Sequence, residues 1–297
     1  MELALPITVY WDLPPDARRS EALLKLCADI VECRPLMLQL HDPSTELSGG
    51  AQAVLEVLRG TPVAVTLTAP LSSLAHFSGI SPGDRGVKEL LLSCTAPEDI
   101  NHVPTGLVSG CSFAVERSNW RMLPVLVSLC RRQGMRRLVL PMQRLYGGEV
   151  PFFLDRREQD ELTAALTAAG GISGLDLTIH DPFLWRAFNP EVPFPQGGCQ
   201  AANTMIAVAP DGGIYPCPTF PVRLDPAGSS SLKELLLSRA KKELRRRIVE
   251  FPEECGDCAE LPVCRGGCRG RSYVAYGSLR GIDDACRYPA GEKEGPL

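Results

Sequence analysis

The first 182 residues contain seven short apolar runs separated by longer stretches of mixed polarity. The runs recur roughly every 25 to 30 residues, which is the length of one strand and one returning helix. Several runs contain no alternating polar residue, as is typical of parallel strands that are covered on both faces. The predicted strands are residues 7–13, 36–40, 63–68, 90–93, 112–115, 138–140 and 175–179.

Two of the intervening stretches have a clear helical pattern. Residues 155–169 begin with an aspartate followed three positions later by a glutamate, a capping-box pattern, and end at a glycine pair. Repeated strand and helix units predict an α/β fold, which is either a partial (β/α) barrel or a doubly wound open sheet. Apolar periodicity does not distinguish the two topologies. In residues 20–33 one apolar stripe is formed by Leu23, Leu24, Cys27, Ile30 and Val31.

The pattern changes after residue 182. Prolines at positions 182, 190, 193 and 195 predict a linker, and the hundred residues that follow have many glycines but few long apolar runs. Burial alone does not offset the entropy of ordering such a backbone, so the region needs disulfide bonds or bound metal. We therefore predict two domains, a barrel of residues 1–185 and a small, irregular, cysteine-rich domain of residues 186–297.

The overall composition is that of a soluble globular protein. The chain has 297 residues, of which 44% are apolar and 22% are charged, and its formal net charge is -4. We find neither a secretory signal nor an apolar run that approaches the ~18 residues of a membrane helix. We therefore expect a cytoplasmic protein without membrane contact. The slightly acidic balance also argues against a nucleic-acid partner, because phosphate binding favours a basic surface.

Seven of the twelve cysteines lie in the last hundred residues, and their spacing is the strongest chemical feature of the chain. In the reducing compartment that we expect, bound metal explains closely spaced cysteines better than disulfide bonds do. Thiolates this close in sequence can surround one compact metal centre, and the glycine pair 266–267 would let the backbone approach it. The candidate ligands are Cys199, Cys217, Cys255, Cys258, Cys264, Cys268 and Cys286.

This cysteine pattern resembles the SPASM domain of radical S-adenosylmethionine (SAM) enzymes that modify ribosomal peptides. The matching pattern is Cys-x12-Gly-x4-Cys, then Cys-x2-Cys-x5-Cys-x3-Cys, then a last cysteine, over roughly residues 180–289. The resemblance implies two auxiliary [4Fe-4S] clusters, the inner one with an open iron because residues 189–198 contain no cysteine. It assigns the outer cluster to Cys255, Cys258, Cys264 and Cys286, and the inner cluster to Cys199, Cys217 and Cys268.

The N-terminal half resembles the catalytic barrel of the same enzymes without its cysteine motif. In that family a Cys-x3-Cys-x2-Cys loop after the first strand binds the cluster that chelates SAM. Here residues 14–19 follow the first predicted strand and contain no cysteine. The glycine motifs at 48–50 and 147–149 are explained as loop residues. The resemblance therefore implies that SAM is not a cofactor of this chain.

Some other residues are weaker candidates for chemistry. His41 and His180 each precede an Asp-Pro pair at the end of a predicted strand, where a ligand or acid role competes with simple turn formation. The basic run 241–247 predicts a solvated helix face or a docking surface for an acidic partner. We interpret the remaining thiols as buried structural residues, namely Cys27, Cys33, Cys94, Cys111 and Cys130.

These features predict an accessory iron–sulfur protein with two auxiliary [4Fe-4S] clusters. It resembles the SPASM-domain protein of GeoRSP-type peptide-maturation systems, which implies an intact radical SAM/SPASM enzyme and a ribosomally made precursor peptide as partners. The clusters would relay electrons, or the barrel mouth would hold the peptide. One alternative is an enzyme that uses SAM through an unfamiliar site. Another is a zinc-stapled interaction module, whose four-thiolate site would be Cys255, Cys258, Cys264 and Cys268.

Overall fold

A computed structural model describes residues 3–192, 198–225 and 231–287 of the chain. All seven predicted strands are present, with ends that differ from the prediction by at most two residues. Two further strands, β8 and β9, were not predicted. The strands are β1 Thr8–Asp12, β2 Met37–His41, β3 Ala64–Pro70, β4 Glu89–Cys94, β5 Gly110–Phe113, β6 Arg137–Leu140, β7 Asp176–Ile179, β8 Met205–Val208 and β9 Ile214–Tyr215.

The strands form one curled sheet in the order β7-β6-β5-β4-β3-β2-β1-β8-β9. From β1 to β7 the spatial order follows the chain order, without the reversal that defines a doubly wound sheet. The hydroxyl of Tyr10 in β1 lies 2.9 Å from Nε2 of His180, just after β7, although six positions in the sheet separate these strands. The sheet is therefore a half-barrel. The predicted partial barrel is confirmed, and the doubly wound alternative is wrong.

The two helices predicted from periodicity are also present. Ser20 caps the first, and Asp155 and Glu158 form the predicted capping box of the other, with N–O distances of 2.8 and 3.0 Å. Glycines and prolines interrupt the β3–β4 and β4–β5 connections, which form short 3-10 helices instead of the expected α-helices. The α-helices are α1 Glu21–Glu32, α2 Gly49–Leu58, α3 Leu123–Arg132, α4 Arg156–Ala168, α5 Pro182–Phe188, α6 Leu232–Leu237, α7 Arg239–Ile248, α8 Leu261–Cys264 and α9 Arg269–Tyr276.

The cysteine-rich region shares the sheet with the barrel. Strand β8 pairs in parallel with β1, although it lies beyond the boundary predicted after residue 185. Pro182 begins α5 where we expected a linker, because proline is well suited to the first turn of a helix. Pro193 and Pro195 of that linker lie outside the described residues. The division between residues 185 and 186 therefore remains a prediction.

Apolar burial is unevenly distributed between the barrel and the cysteine-rich region. The main core fills the space between the sheet and the barrel helices. A much smaller cluster supports the cysteines, as expected for a region with few apolar runs; it comprises Ala201, Met205, Cys217, Phe220, Ile248 and Leu279. None of the helices in the described ranges has the length and apolar character needed to cross a membrane.

Candidate functional site

The seven candidate cysteines are free thiols and line two neighbouring cavities. The larger cavity encloses about 1820 Å³ of empty space, including its open mouth. Cys264 lines the wall of both cavities. The smaller cavity is lined by the outer group, Cys255, Cys258, Cys264 and Cys286, and the larger by the inner group, Cys199, Cys217 and Cys268. The structure therefore brings together the groups that the resemblance implied, and their role as ligands stays a prediction.

Tight turns bring the outer group together. Cys255 ends a short 3-10 helix, and its carbonyl accepts a hydrogen bond from the backbone N–H of Cys258 at 3.1 Å. The backbone N–H of Cys286 donates to the carbonyl of Asp283 at 2.8 Å. Burial raises the pKa of Cys255, and the neighbouring thiols of Cys286 and Cys258 raise it further. Ionising all of these thiols requires a compensating positive charge, which a bound metal would supply.

The inner group comes from three separate segments. Cys199 precedes β8, Cys217 follows β9, and Cys268 is the residue just before α9. Burial raises the pKa of Cys217 well above its ordinary value, and the charges of Cys199 and Cys268 add to this effect. Burial also raises the pKa of Cys268 to about 12. Three buried or half-buried thiols therefore meet where negative charge is costly without a metal.

The loop after Cys264 has an unusual backbone. Arg265, Gly266 and Gly267 all adopt left-handed conformations, with φ values of 54°, 86° and 74°. Burial raises the pKa of Cys264 to about 11, against the lowering effect of the backbone N–H groups of both glycines. We expected this glycine pair to let the backbone approach a metal centre. At Gly267 the structure shows another reason, because a Cβ there would lie 2.5 Å from Oδ2 of Asp283.

A buried ion network joins the cysteine-rich region to the barrel. Arg271 is 1% exposed, and its Nε and Nη2 atoms donate to the two carboxylate oxygens of Asp283 at 2.6 and 2.8 Å. Its Nη1 donates to Asp181, just after β7. Asp283 also accepts a hydrogen bond from the backbone N–H of Cys268 at 2.6 Å. The network therefore fixes one inner cysteine relative to the end of β7.

Sequence analysis missed this network. Burial alone would raise the pKa of Asp181, but the charge and hydrogen bond of Arg271 lower it. For the His-Asp-Pro segment at 180–182 we weighed turn formation against a ligand or acid role of the histidine. Asp181 does cap α5, because it accepts hydrogen bonds from the backbone N–H groups of Phe183 and Leu184. Turn formation therefore explains this part of its role but not its ion pair with Arg271.

The basic run 241–247 is only partly a solvated helix face. Lys241 and Arg245 of α7 are buried. Lys241 donates to the carbonyl of Leu3 at 3.1 Å, and Nη1 of Arg245 donates to the carbonyls of Cys199 and Ala201 at 2.6 and 3.1 Å. The prediction of solvation is therefore wrong for these two residues. Arg245 instead holds the backbone beside an inner cysteine.

The end of β1, where the resemblance places the missing catalytic loop, is closed by a polar cluster. Asp12 is 3% exposed and accepts hydrogen bonds from Arg144 at 2.6 Å and from the hydroxyl of Tyr146 at 3.1 Å. Nδ1 of His41 lies 3.3 Å from the same carboxylate. Burial alone would raise the pKa of Asp12, but the hydrogen bonds and charges of His41 and Arg144 lower it to about 2.

The interior of the half-barrel is a cavity, and Asp12, His41 and Arg144 of this cluster line it. It encloses about 1460 Å³ of empty space and is lined by side chains from β1 to β7. His180 lines this cavity and also the larger cysteine cavity. Burial lowers the pKa of His180, so its imidazole is neutral at pH 7. His180 therefore lies, with Pro141, Met142 and Thr178, in the wall that the barrel interior shares with the cavity of the inner cysteines.

We expect Asp12→Asn to destabilise the protein by about 2 kcal/mol at pH 7, because a carboxylate with a lowered pKa stabilises the fold. The contribution is complete above the unfolded-state pKa near 4 and is lost only as the pH falls towards about 2. The difference from wild type should therefore not decrease between pH 7 and pH 5, and the charge that the neighbouring His41 gains on protonation can only increase it. Anaerobic urea unfolding at both values measures it, and a difference that halves at pH 5 would contradict the assignment.

The other sequence candidates have structural roles. We explained the glycine motif at 48–50 as loop residues, but Gly49 and Gly50 are the first two residues of α2, which Ser48 caps. Gly50 packs against Ala17, whose Cβ would lie 2.7 Å from a Cβ at residue 50. The backbone N–H of Gly147 donates to the carboxylate of Glu149 at 2.9 Å within its own loop. The remaining thiols are buried, as predicted: Cys27, Cys33, Cys94, Cys111 and Cys130.

The two cysteine groups fit iron–sulfur clusters chemically. Within residues 3–192, 198–225 and 231–287, no three histidine, cysteine, aspartate or glutamate side chains are grouped so that they could hold one metal ion. In a polynuclear cluster each thiolate binds a different iron, so the ligands lie further apart than around a single ion. Backbone N–H groups near Cys217 and Cys264 add the hydrogen bonds to sulfur that tune such clusters.

Comparisons with known proteins agree with this geometry. Residues 199–259 match the SPASM family, described as an iron-sulfur cluster-binding domain. No curated protein sequence matches the chain. The solved structure of Streptococcus suis SuiB bound to S-adenosylmethionine is similar, with a TM-score of 0.65 and 14% identity over 96% of this chain and 77% of that chain.

Two similar structures contain a peptide. SuiB bound to its precursor peptide SuiA has a TM-score of 0.60 and 13% identity over 96% of this chain and 76% of that chain. Native anSMEcpe with bound AdoMet and Cp18Cys peptide has a TM-score of 0.61 and 15% identity over 95% of this chain and 94% of that chain. At these identities the likeness shows a common fold. Residues 199–259 thus match the SPASM iron-sulfur cluster-binding domain, and the chain as a whole has the half-barrel fold of these solved structures.

Proposed function

We propose that this chain is an accessory iron–sulfur protein that binds two auxiliary [4Fe-4S] clusters and works with a separate radical SAM enzyme. The observation that carries the proposal is the separation of seven free thiols into two groups beside a half-barrel. The outer group offers four thiolates, which is a full ligand set for one cluster. The inner group offers three and faces the larger cavity.

The proposal assigns no SAM cleavage to this chain. The strand end that would carry the catalytic cysteine loop carries the Asp12–Arg144 ion pair instead, and no cysteine occurs between Asp12 and Cys27. Cys27 is fully buried on α1, and burial raises its pKa to about 11, so it is a poor metal ligand. Two of the similar structures contain bound S-adenosylmethionine. The absence of SAM cleavage is therefore the property in which we expect this chain to differ most clearly from them.

We further propose a ribosomally made precursor peptide as the bound substrate and an intact radical SAM/SPASM enzyme as the partner. Two of the similar structures contain bound peptides, which supports the first part. The larger cavity is lined by both apolar side chains and the polar groups of His180, Gln200 and Thr219, so it can accept backbone and side chains of a peptide. Clusters on its wall would supply or accept electrons for the partner, in a reducing cytoplasm.

Anaerobically purified protein should contain about eight irons and eight sulfides per chain, the content of two [4Fe-4S] clusters. Chemical analysis together with EPR of the reduced protein measures this content. A colourless protein with about one zinc per chain would favour the zinc-stapled alternative. Reduction in the presence of SAM should release no 5′-deoxyadenosine. Sustained release by the isolated chain would replace the accessory role with an enzymatic one.

A further inference from the structure

Arg269 is a cation that the fold buries completely at the start of α9. Its side chain is 0% exposed. Nη1 donates to the carbonyl of Gly266 at 2.6 Å, and Nη2 donates to the carbonyls of Gly281 at 2.9 Å and of Leu279. All three acceptors are neutral, so these hydrogen bonds fix the guanidinium without balancing its charge.

The charge of Arg269 has no carboxylate partner in the described part of the chain, and its Nε–H has no acceptor there. A buried charge without a counter-charge is strongly unfavourable, and so is a buried donor without an acceptor. Arg271, two residues further on, shows the contrast because it is equally buried but is paired with Asp181 and Asp283. The described residues therefore supply counter-charges to Arg271 but none to Arg269, whose charge has to be balanced by a group outside them.

Arg269 lies directly behind the wall of the smaller cavity, because Gly266, whose carbonyl it holds, lines that cavity together with the four outer thiols. Its charge lowers the pKa of Cys255, against the larger raising effect of burial. Arg269 also holds the carbonyl of Gly266, whose own backbone N–H lowers the pKa of Cys264. Two members of the outer group are therefore linked to this guanidinium, one through its charge and one through the loop that it supports.

We propose that Arg269 is the counter-charge of the outer centre and that its Nε–H, which none of the outer thiols accepts, donates a hydrogen bond to an inorganic sulfide of the cluster there. This inference rests on the proposed function, because it needs a cluster at the outer thiols. Reduction by one electron makes a thiolate-ligated cluster more negative, so a buried cation beside it favours the reduced form. Arg269 thus raises the reduction potential of the outer centre and is a positioning residue, not a ligand.

A potentiometric titration of the holoprotein, followed by EPR, tests this role. Arg269→Gln should shift the reduction equilibrium of the outer cluster at least tenfold towards the oxidised form, which is a fall of about 59 mV for one electron. Arg269→Lys, which keeps the charge, should restore most of the potential. The inner potential should stay constant. The outer signal is identified as the one that Cys258→Ala removes.

Arg265→Gln is the matched control, because Arg265 is an exposed cation directly after Cys264 and water screens its charge. This variant should change the outer potential far less than Arg269→Gln does. If Arg269→Gln and wild type, both fully loaded with iron, have the same outer potential, the inference is wrong. The proposed function would survive that result.

A second measurement uses wild-type protein and does not depend on how the variants fold. Pulsed EPR of the reduced outer cluster, in wild-type protein whose arginines carry 15N only in the guanidinium group, should show a 15N coupling that is absent in unlabelled wild-type protein. Absence of the coupling in wild type overturns the proposed hydrogen bond. Wild-type protein without iron and sulfide overturns the proposed function itself, so the two failures are distinguishable.

Discussion

Replacing Cys258 by alanine should remove about half of the bound iron and sulfide and expose the C-terminal segment to proteases. Cys258 lines the smaller cavity and not the larger one, so the change removes one of four outer thiolates and none of the inner ones. Cluster binding and folding are coupled where the apolar core is small, as it is around these cysteines. Iron and sulfide analysis and limited proteolysis with mass spectrometry measure both effects.

Cys27→Ala is the matched control for this loss. It makes the same chemical change at a fully buried thiol on α1, within the barrel core. We expect a modest loss of stability from the cavity left behind, with unchanged iron content and unchanged protease sites after residue 250. Full iron content and protease resistance in Cys258→Ala would show that this cysteine is not a ligand.

Much of the barrel could be predicted because its information is local. A parallel strand covered on both faces has a short continuous apolar run, and a capped helix has its cap within four residues of its start. The capping box at Asp155 and Glu158 illustrates this directly. Three cysteines of the outer group could be recognised for the same reason, since Cys255, Cys258 and Cys264 are close in the sequence.

The features that were missed depend on contacts between distant residues. Asp12 and Arg144 are 132 positions apart, and Asp181 and Arg271 are 90 positions apart, so neither pair forms a sequence pattern. Strand β8 was missed because its four residues follow a proline-rich stretch that suggested a linker. Its pairing with β1 brings Cys199 and Cys217 to the barrel, which local patterns could not show.

Arg271→Met should destabilise the protein by about 3–5 kcal/mol, the usual result of leaving buried charges without their partner. The change leaves the carboxylates of Asp181 and Asp283 without a cation, and Asp283 is 1% exposed. Asp283 also holds the backbone of Cys268, so we expect weaker binding of the inner cluster. Anaerobic urea unfolding followed by circular dichroism measures the stability, and EPR measures the inner cluster.

A triple variant separates charge balance from packing in this network. Adding Asp181→Asn and Asp283→Asn to Arg271→Met removes all three charges together. Neutral residues do not carry the penalty of an unpaired buried charge, so the triple variant should be more stable than Arg271→Met alone. The three residues join the end of β7, the start of α5 and the segment before Cys286. If Arg271→Met alone were as stable as wild type, this network would not hold the cysteine-rich region against the barrel.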